Sequence, residues 1–264
     1  MGFMFGIVAQ PFWLSLLLLI IIPSIVVSFG PWVVRRFIPV ESIADNNEVA
    51  GFKFATLGVI YAVLLGLAVI SVWEKYSEAE SAATEEAAAL ASIDRLSNGL
   101  IADEGQILRE SIIRYVRTVI DDDWPAMARG DDGEKTHEAL ENLYTVVLGL
   151  TTADQRSATI LEALLTQLNY VTESRRERLD LADGILPSVV WLVLFAGAAV
   201  TIGFTFFFGL DNLSVQMLMT GMLALLISLS LFVALSIDHP FSGPSTIRPV
   251  AMERVLHDFT ERGG

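Results

Sequence analysis

The sequence has no cysteine, only three histidines, and long stretches without a single charged residue. Without cysteine, disulfide frameworks and thiolate metal sites are excluded. His137, His239 and His257 lie far apart, and none has a neighbour at metal-ligand spacing. No phosphate-cradling glycine loop or nucleophile motif occurs either. The chain is therefore read as a non-enzyme that needs no cofactor. Basic residues are scarce as well: 17 Lys and Arg against 31 Asp and Glu leave a net charge of −14. No basic face is available to displace counterions from a nucleic acid, so that class of partner is excluded.

The shortage of charge is uneven. Charged residues make up 18% of the chain, against about 25% in soluble domains. Residues 1–34, 54–73, 184–210 and 212–237 contain none at all. Each window supplies the roughly 20 apolar residues that carry a helix across a bilayer core. Burying four uncharged helices of about 30 Å inside a soluble core would need far more amphipathic chain than is present. The fold class that follows is all-α: an integral membrane protein with four transmembrane helices and a helical cytosolic bundle inserted between spans two and three. A helix suits lipid because it satisfies its own backbone hydrogen bonds.

The first span runs from about Phe12 to Val34, after Pro11, with Pro23 as a kink and Trp13 and Trp32 at headgroup level. Its n-region lacks Lys and Arg and its apolar run exceeds a signal peptide's, so it is read as retained. The second span follows the cap cluster Asp45-Asn46-Asn47 and is uncharged from Phe54 to Trp73. The Ala- and Glu-rich stretch Glu74 to Ser92 contains no Gly or Pro, so one helix of more than about 40 residues leaves the membrane as a stalk. The third span runs from Leu186, with Pro187 in its first turn, to Phe208. Gly209 to Asn212 turns into the fourth, roughly Val215 to Ile237, which Asp238 to Pro244 terminates. A short terminal helix is expected around Ala251 to Phe259. The divisions are thus 1–73, 74–185, 186–237 and a tail at 238–264.

Between the second and third spans, apolar residues recur at helical spacing. Leu108, Ile112, Tyr115, Val116 and Val119 form one stripe. Leu140, Leu143, Tyr144, Val147 and Leu148 form a second, and Leu161, Leu164, Leu165, Leu168 and Val171 a third. Thr152 with Gln155 fits a capping box for the last helix. Asp121-Asp122-Asp123-Trp124-Pro125 could hold a divalent cation. The competing reading is a helix junction, with Asp123 capping the next turn and Pro125 in its first positions. Carboxylates disfavour a helix C-terminus, which fits a break there.

Two stripes stand out on the second span. Gly58, Ala62 and Gly66 are small residues at four-residue steps, a pattern that lets helix backbones approach closely. The neighbouring stripe of Val59, Val63 and Leu67 would face lipid, another helix or a pore. Lys75, Arg175, Arg176, Arg178, Arg248 and Arg254 flank the spans on the side of the central domain, against Arg35, Arg36 and Lys53 on the other. That balance puts the central domain and both termini in the cytoplasm.

Several elements carry a resemblance. The stretch from Tyr61 to Tyr76, ending Val72-Trp73-Glu74-Lys75-Tyr76, resembles the bestrophin segment in which a pore helix ends in a Trp-rich, charged exit. Ile237-Asp238-His239-Pro240-Phe241-Ser242-Gly243 resembles the Asn-Pro-Phe-Gly element of bestrophins, and Trp124-Pro125-Ala126-Met127 and the His-Pro-Phe-Ser-Gly end resemble a bacterial bestrophin-like family. The resemblance implies a homopentamer in the inner membrane, with the second helices around a central pore that passes small ions. One alignment puts Val59, Val63 and Leu67 at the neck and another puts Ala55, Val59 and Val63 there. The acidic calcium-binding run of animal bestrophins is replaced by Pro244-Ser245-Thr246-Ile247-Arg248-Pro249, and their aromatic neck rings by Val and Leu. The expected function is a passive ion channel with an apolar neck. The alternative is a membrane-anchored sensor or scaffold whose helical domain binds a ligand or partner, with no pore.

Overall fold

The computed structural model describes residues 12–44, 47–182, 184–243 and 245–262. Pro11, Asp45, Asn46 and Pro244, which figure in the expectations above, lie outside the described residues. Every regular element among the described residues is helical. Among the described residues, four helices are long and apolar enough to cross a membrane: α1 (Trp13–Phe37), α3 (Asn47–Ser97), α8 (Ser188–Thr205) and α9 (Leu213–Ile237). A short α2 (Val40–Ala44) joins the first two. Between α3 and α8 in the chain come α4 (Ala102–Thr118), α5 (Trp124–Met127), α6 (Glu134–Leu148) and α7 (Gln155–Asp180). The chain ends with α10 (Val250–Arg262).

The chain divides into two compact units, with α3 contributing to both. The first unit holds the apolar spans. In α1 the hydrogen-bonding widens to a π-helical turn at Leu17–Ile21, just before Pro23. Proline removes a helix donor, and a π-bulge absorbs the resulting misfit. One face of α3 packs inward through Tyr61, Leu65 and Ala68 against Trp191, Leu194 and Ala198 of α8 and Ile227, Leu231 and Leu235 of α9. The Tyr61 hydroxyl donates to the Leu194 carbonyl at 3.2 Å, and its ring lies where a Gly197 Cβ would sit. Gly197 is therefore one small residue that allows close approach within this unit. Asp238 fastens the start of α8 to the end of α9, accepting from the Leu186 amide at 2.9 Å and the Trp191 indole at 3.3 Å.

The second unit has its own core. Ala79, Ala83, Ala87, Leu90 and Ile93 form the inward face of α3 there, so the alanines of the stalk are packing surface as well as helix formers. Leu108, Ile112, Tyr115, Leu143, Val147, Leu164, Leu168 and Val171 fill the centre at 0% exposure. Leu148 departs from its expected stripe: it ends α6 and is exposed. Residues 238–264, set apart as a tail by sequence, supply Phe241, Met252 and Phe259 to this core.

Two expected caps are corrected. The N-cap of α7 is Asp154, whose carboxylate accepts from the Ser157 amide at 2.7 Å, and Ser157 completes the box. Thr152 lies before it and Gln155 is the first helical residue. Nor does Asp123 cap a helix. The chain passes from α4 through a π-helical turn, Val119–Asp123, straight into α5, and Asp123 has α-helical dihedrals with no capping bond. Asp122 instead accepts from the amides of Lys135 and Thr136 in the first turn of α6. This matches the general attraction of a carboxylate to a helix N-terminus.

Candidate functional site

Val59, Val63 and Leu67 are 65%, 55% and 61% exposed, although they sit in the middle of an uncharged span. At 100° per residue they lie about 200° from Tyr61 and Leu65, on the opposite side of α3 from its packed face. Ile60, Leu64 and Ile70 widen the exposed strip. Gly58 and Gly66, with Ala62 between them, flank it. A Cβ added to either glycine would meet nothing within 4 Å, so the contact expected of these small residues is not made inside one chain. Trp73, at the end of the span, is exposed, whereas Tyr76 packs on the core of the second unit.

Two distant sequence elements meet in the second unit. The Trp124 ring meets the Phe241 ring edge-on, with centroids 5.8 Å apart, and its indole donates to the Ile247 carbonyl at 3.0 Å. Pro125 follows the π-helical turn Val119–Asp123 as Pro23 follows Leu17–Ile21, and the widened turn absorbs its missing donor. After α9 the chain reverses tightly. The Ser242 amide donates to the His239 carbonyl and the Ile247 amide to the Pro240 carbonyl. Gly243 has φ of 82°, a left-handed conformation that favours glycine.

Beside Trp124 lies a buried ionic network. Arg178, at 0% exposure, donates from Nε to Glu86 at 2.8 Å and from Nη2 to Asp123 at 3.0 Å. Its guanidinium stands 4.6 Å from the Trp124 ring centroid. Arg175 grips Asp123 with two bonds of 2.9 Å, and the Tyr115 hydroxyl donates to Glu86 at 2.6 Å. The Gly133 amide adds a bond to Asp123 at 3.0 Å, and a Cβ there would collide with the carboxylates of Asp122 and Asp123. Two carboxylates and two guanidiniums balance. Burial pushes the Asp123 carboxyl up, but the bonds and charges of Arg175 and Arg178 outweigh it and hold it below the usual carboxylate range. Burial likewise opposes the charge on Arg178, yet Glu86 and Asp123 prevail and its pKa is raised. Desolvation and the nearby Glu86 push the Tyr115 hydroxyl well up, so it remains a donor.

The sequence matches the Bestrophin-like domain over residues 21–252. The chain belongs to the bestrophin-like family. Its fold is shared by a crystal structure of a bacterial bestrophin homolog from Klebsiella pneumoniae, a point variant. The TM-score is 0.74 at 14% identity, over 91% of this chain and 98% of that one. A second variant of that homolog matches with TM-score 0.72 and 15% identity, over 96% and 99%. A structure described as a membrane protein matches with TM-score 0.69 and 15% identity, over 91% and 98%. No curated protein sequence matches the chain.

Of the bestrophin-like elements read from sequence, the fold brings Trp124 and Phe241 together and leaves the Val59 stripe open. The ionic network went unread. Glu86 looked like a helix former in an Ala/Glu stalk, Arg175 and Arg178 like charges flanking a span, and Asp123 like a cap. The signal was positional: Glu86 continues the inward face of Ala79 and Ala83, and Arg175 and Arg178 continue that of Leu168 and Val171. A charge on an apolar stripe needs a buried partner.

Arg178→Met would leave Glu86 buried without a cationic partner and Asp123 with Arg175 alone, with an expected loss of about 3–5 kcal/mol, read from thermal unfolding of purified protein by circular dichroism. The wild type should also be acid-sensitive. Because the Asp123 pKa is depressed by folding, its contribution is complete above the unfolded value, about 3.9, and is lost as pH falls through the folded one. A change under about 1 kcal/mol in Arg178→Met would contradict this role for the network.

Proposed function

We propose that this bestrophin-like protein is a passive ion channel of the bacterial inner membrane, assembled from several copies of the chain. On the family plan it is a pentamer whose α3 helices surround the pore. The observation that carries the reading is the open stripe of Val59, Val63 and Leu67, centred in an uncharged span and unused by packing within the chain. Brought around an axis, such rings form a dry constriction that gates by dewetting. Gly58, Ala62 and Gly66, beside the stripe and free of intrachain contact, are placed to let neighbouring copies approach closely. The absence of charge from the four apolar windows suits passive flow better than proton-coupled pumping, which relies on intramembrane carboxylates.

The central domain and both termini are proposed to face the cytoplasm. Arg175 and Arg178 are buried in the ionic network, and Arg35 is held by the turn between α8 and α9, so these three have structural work of their own. Lys75, Arg176, Arg248 and Arg254 still outweigh Arg36 and Lys53.

A membrane-anchored sensor is the second reading, favoured by a cavity of about 810 Å³ in the second unit, lined by Asn98, Arg109, Glu110 and Phe259 among others. Conductance separates the two. Val63→Thr keeps nearly the same volume and adds a hydroxyl, so in reconstituted bilayers the open fraction or conductance should rise a few-fold, while Val63→Trp should block current. A silent wild type and a silent series, in protein shown to be folded and inserted, would leave only the sensor.

Topology has its own check in this thiol-free chain. Thr152→Cys is exposed in the second unit and Asp211→Cys in the turn between α8 and α9. An impermeant maleimide added outside spheroplasts should label Asp211→Cys and spare Thr152→Cys. The reverse pattern would invert the protein.

A further inference from the structure

Arg35, in the last turn of α1, sits in a setting that holds its side chain but, among the described residues, leaves its charge unmatched. Its Nη2 donates to the Leu210 carbonyl and to the Gln216 side chain, at 2.6 Å for the latter. Both acceptors are neutral. Its Nε is buried and has no hydrogen-bond partner, and among the described residues no carboxylate pairs with it. Gln216, itself 2% exposed, is fixed by bonds from Nε2 to the carbonyls of Thr205 and Phe206 at the end of α8. The guanidinium is thus positioned by a rigid, buried amide and has no counter-anion among the described residues. A half-buried guanidinium held in this way is open to an anion.

The same two acceptor residues form the wall of a cavity of about 420 Å³ in the first unit. Its remaining lining is mostly apolar, including Phe54, Phe208, Met219 and Leu223. Thr205 and Thr220 also line it, but the Thr205 hydroxyl donates to the Ile202 carbonyl at 2.6 Å and lies 3.3 Å from that of Thr220. Trp32 and Phe37 are exposed on either side of Arg35 in the sequence, as amphipathic and aromatic side chains are at headgroup depth. Arg36, next to Arg35, is also exposed and adds a second positive charge.

We propose that this cavity and Arg35 form a binding site for an anionic phospholipid. The headgroup phosphate answers the Arg35 charge, for which a guanidinium is the favoured partner. An acyl chain enters the apolar cavity that Leu210 and Gln216 separate from the arginine. A soluble anion would match the charge but leave the cavity empty, and a zwitterionic lipid would fill the cavity while diluting the charge match. The site is independent of whether the protein conducts.

The test uses the full chain, purified in a neutral detergent and stripped of lipid. Dioleoyl phosphatidylglycerol, dioleoyl phosphatidylcholine, glycerol phosphate and inorganic phosphate are titrated separately, with retained lipid counted by native mass spectrometry and stability followed by thermal unfolding. Phosphatidylglycerol should be retained at concentrations about tenfold below phosphatidylcholine, and the two soluble phosphates should leave the melting temperature unchanged. Leu223→Trp, which fills the cavity and leaves Arg35 intact, should abolish that preference, and Arg35→Gln should do the same. Equal retention of the two lipids overturns the proposal. So does stabilisation by free phosphate matching that of the lipid, or undiminished phosphatidylglycerol binding in Leu223→Trp. If Arg35→Gln fails to fold, the wild-type titrations and Leu223→Trp decide the question.

Discussion

Everything in the fold depends on α3 remaining unbroken over the 51 residues from Asn47 to Ser97. A helix this long holds only if each successive turn finds something to pack on, or a solvent that tolerates it. Within the apolar stretch the packed face is Tyr61, Leu65, Ala68 and Val72; beyond it the face becomes Ala79, Ala83, Glu86 and Leu90. Large apolar side chains are buried against other spans in the first stretch. Alanines predominate in the second, where Leu90, Ile93 and the ion-paired Glu86 are also buried against the helical core. The partner changes while the helix continues unbroken.

That arrangement leaves α3 half covered. Its far side is apolar where the chain is uncharged and polar where it is not: Val59, Val63 and Leu67 are followed by the exposed Glu74, Ser77, Ser81 and Glu85. A soluble protein would not display the apolar part. Lipid or another copy of the chain has to cover it, and the glycines beside it make a backbone-to-backbone approach the cheaper option for part of that surface.

Much of this was legible in the sequence because lipid imposes so blunt a rule. Twenty residues without charge are hard to explain otherwise, and the four windows, the long stalk helix and the turn at Gly209 to Asn212 could be read directly. The three apolar stripes of the second unit also emerged from periodicity, apart from Leu148 at a helix end. What escaped was pairwise chemistry. Nothing local says that Asp123 meets Arg175 and Arg178 across 52 and 55 residues of chain, or that Glu86 joins them. The cap of α7 was misplaced because Thr152-Gln155 and Asp154-Ser157 are both plausible boxes, and only the path of the loop selects the second. Gly197 was passed over for the same reason: its value lies in the Tyr61 ring opposite, which no spacing rule predicts.

The central claim is that the open face of α3 turns toward the same face of other copies. A nitroxide attached to Val63→Cys, in a chain with no other thiol, reports it through pulsed dipolar distances in nanodiscs. The account predicts two sharp, short distances in the ratio of the side to the diagonal of a regular pentagon. A label whose partners lie beyond range, or whose distances are broad and unrelated, would mean that Val63 faces lipid.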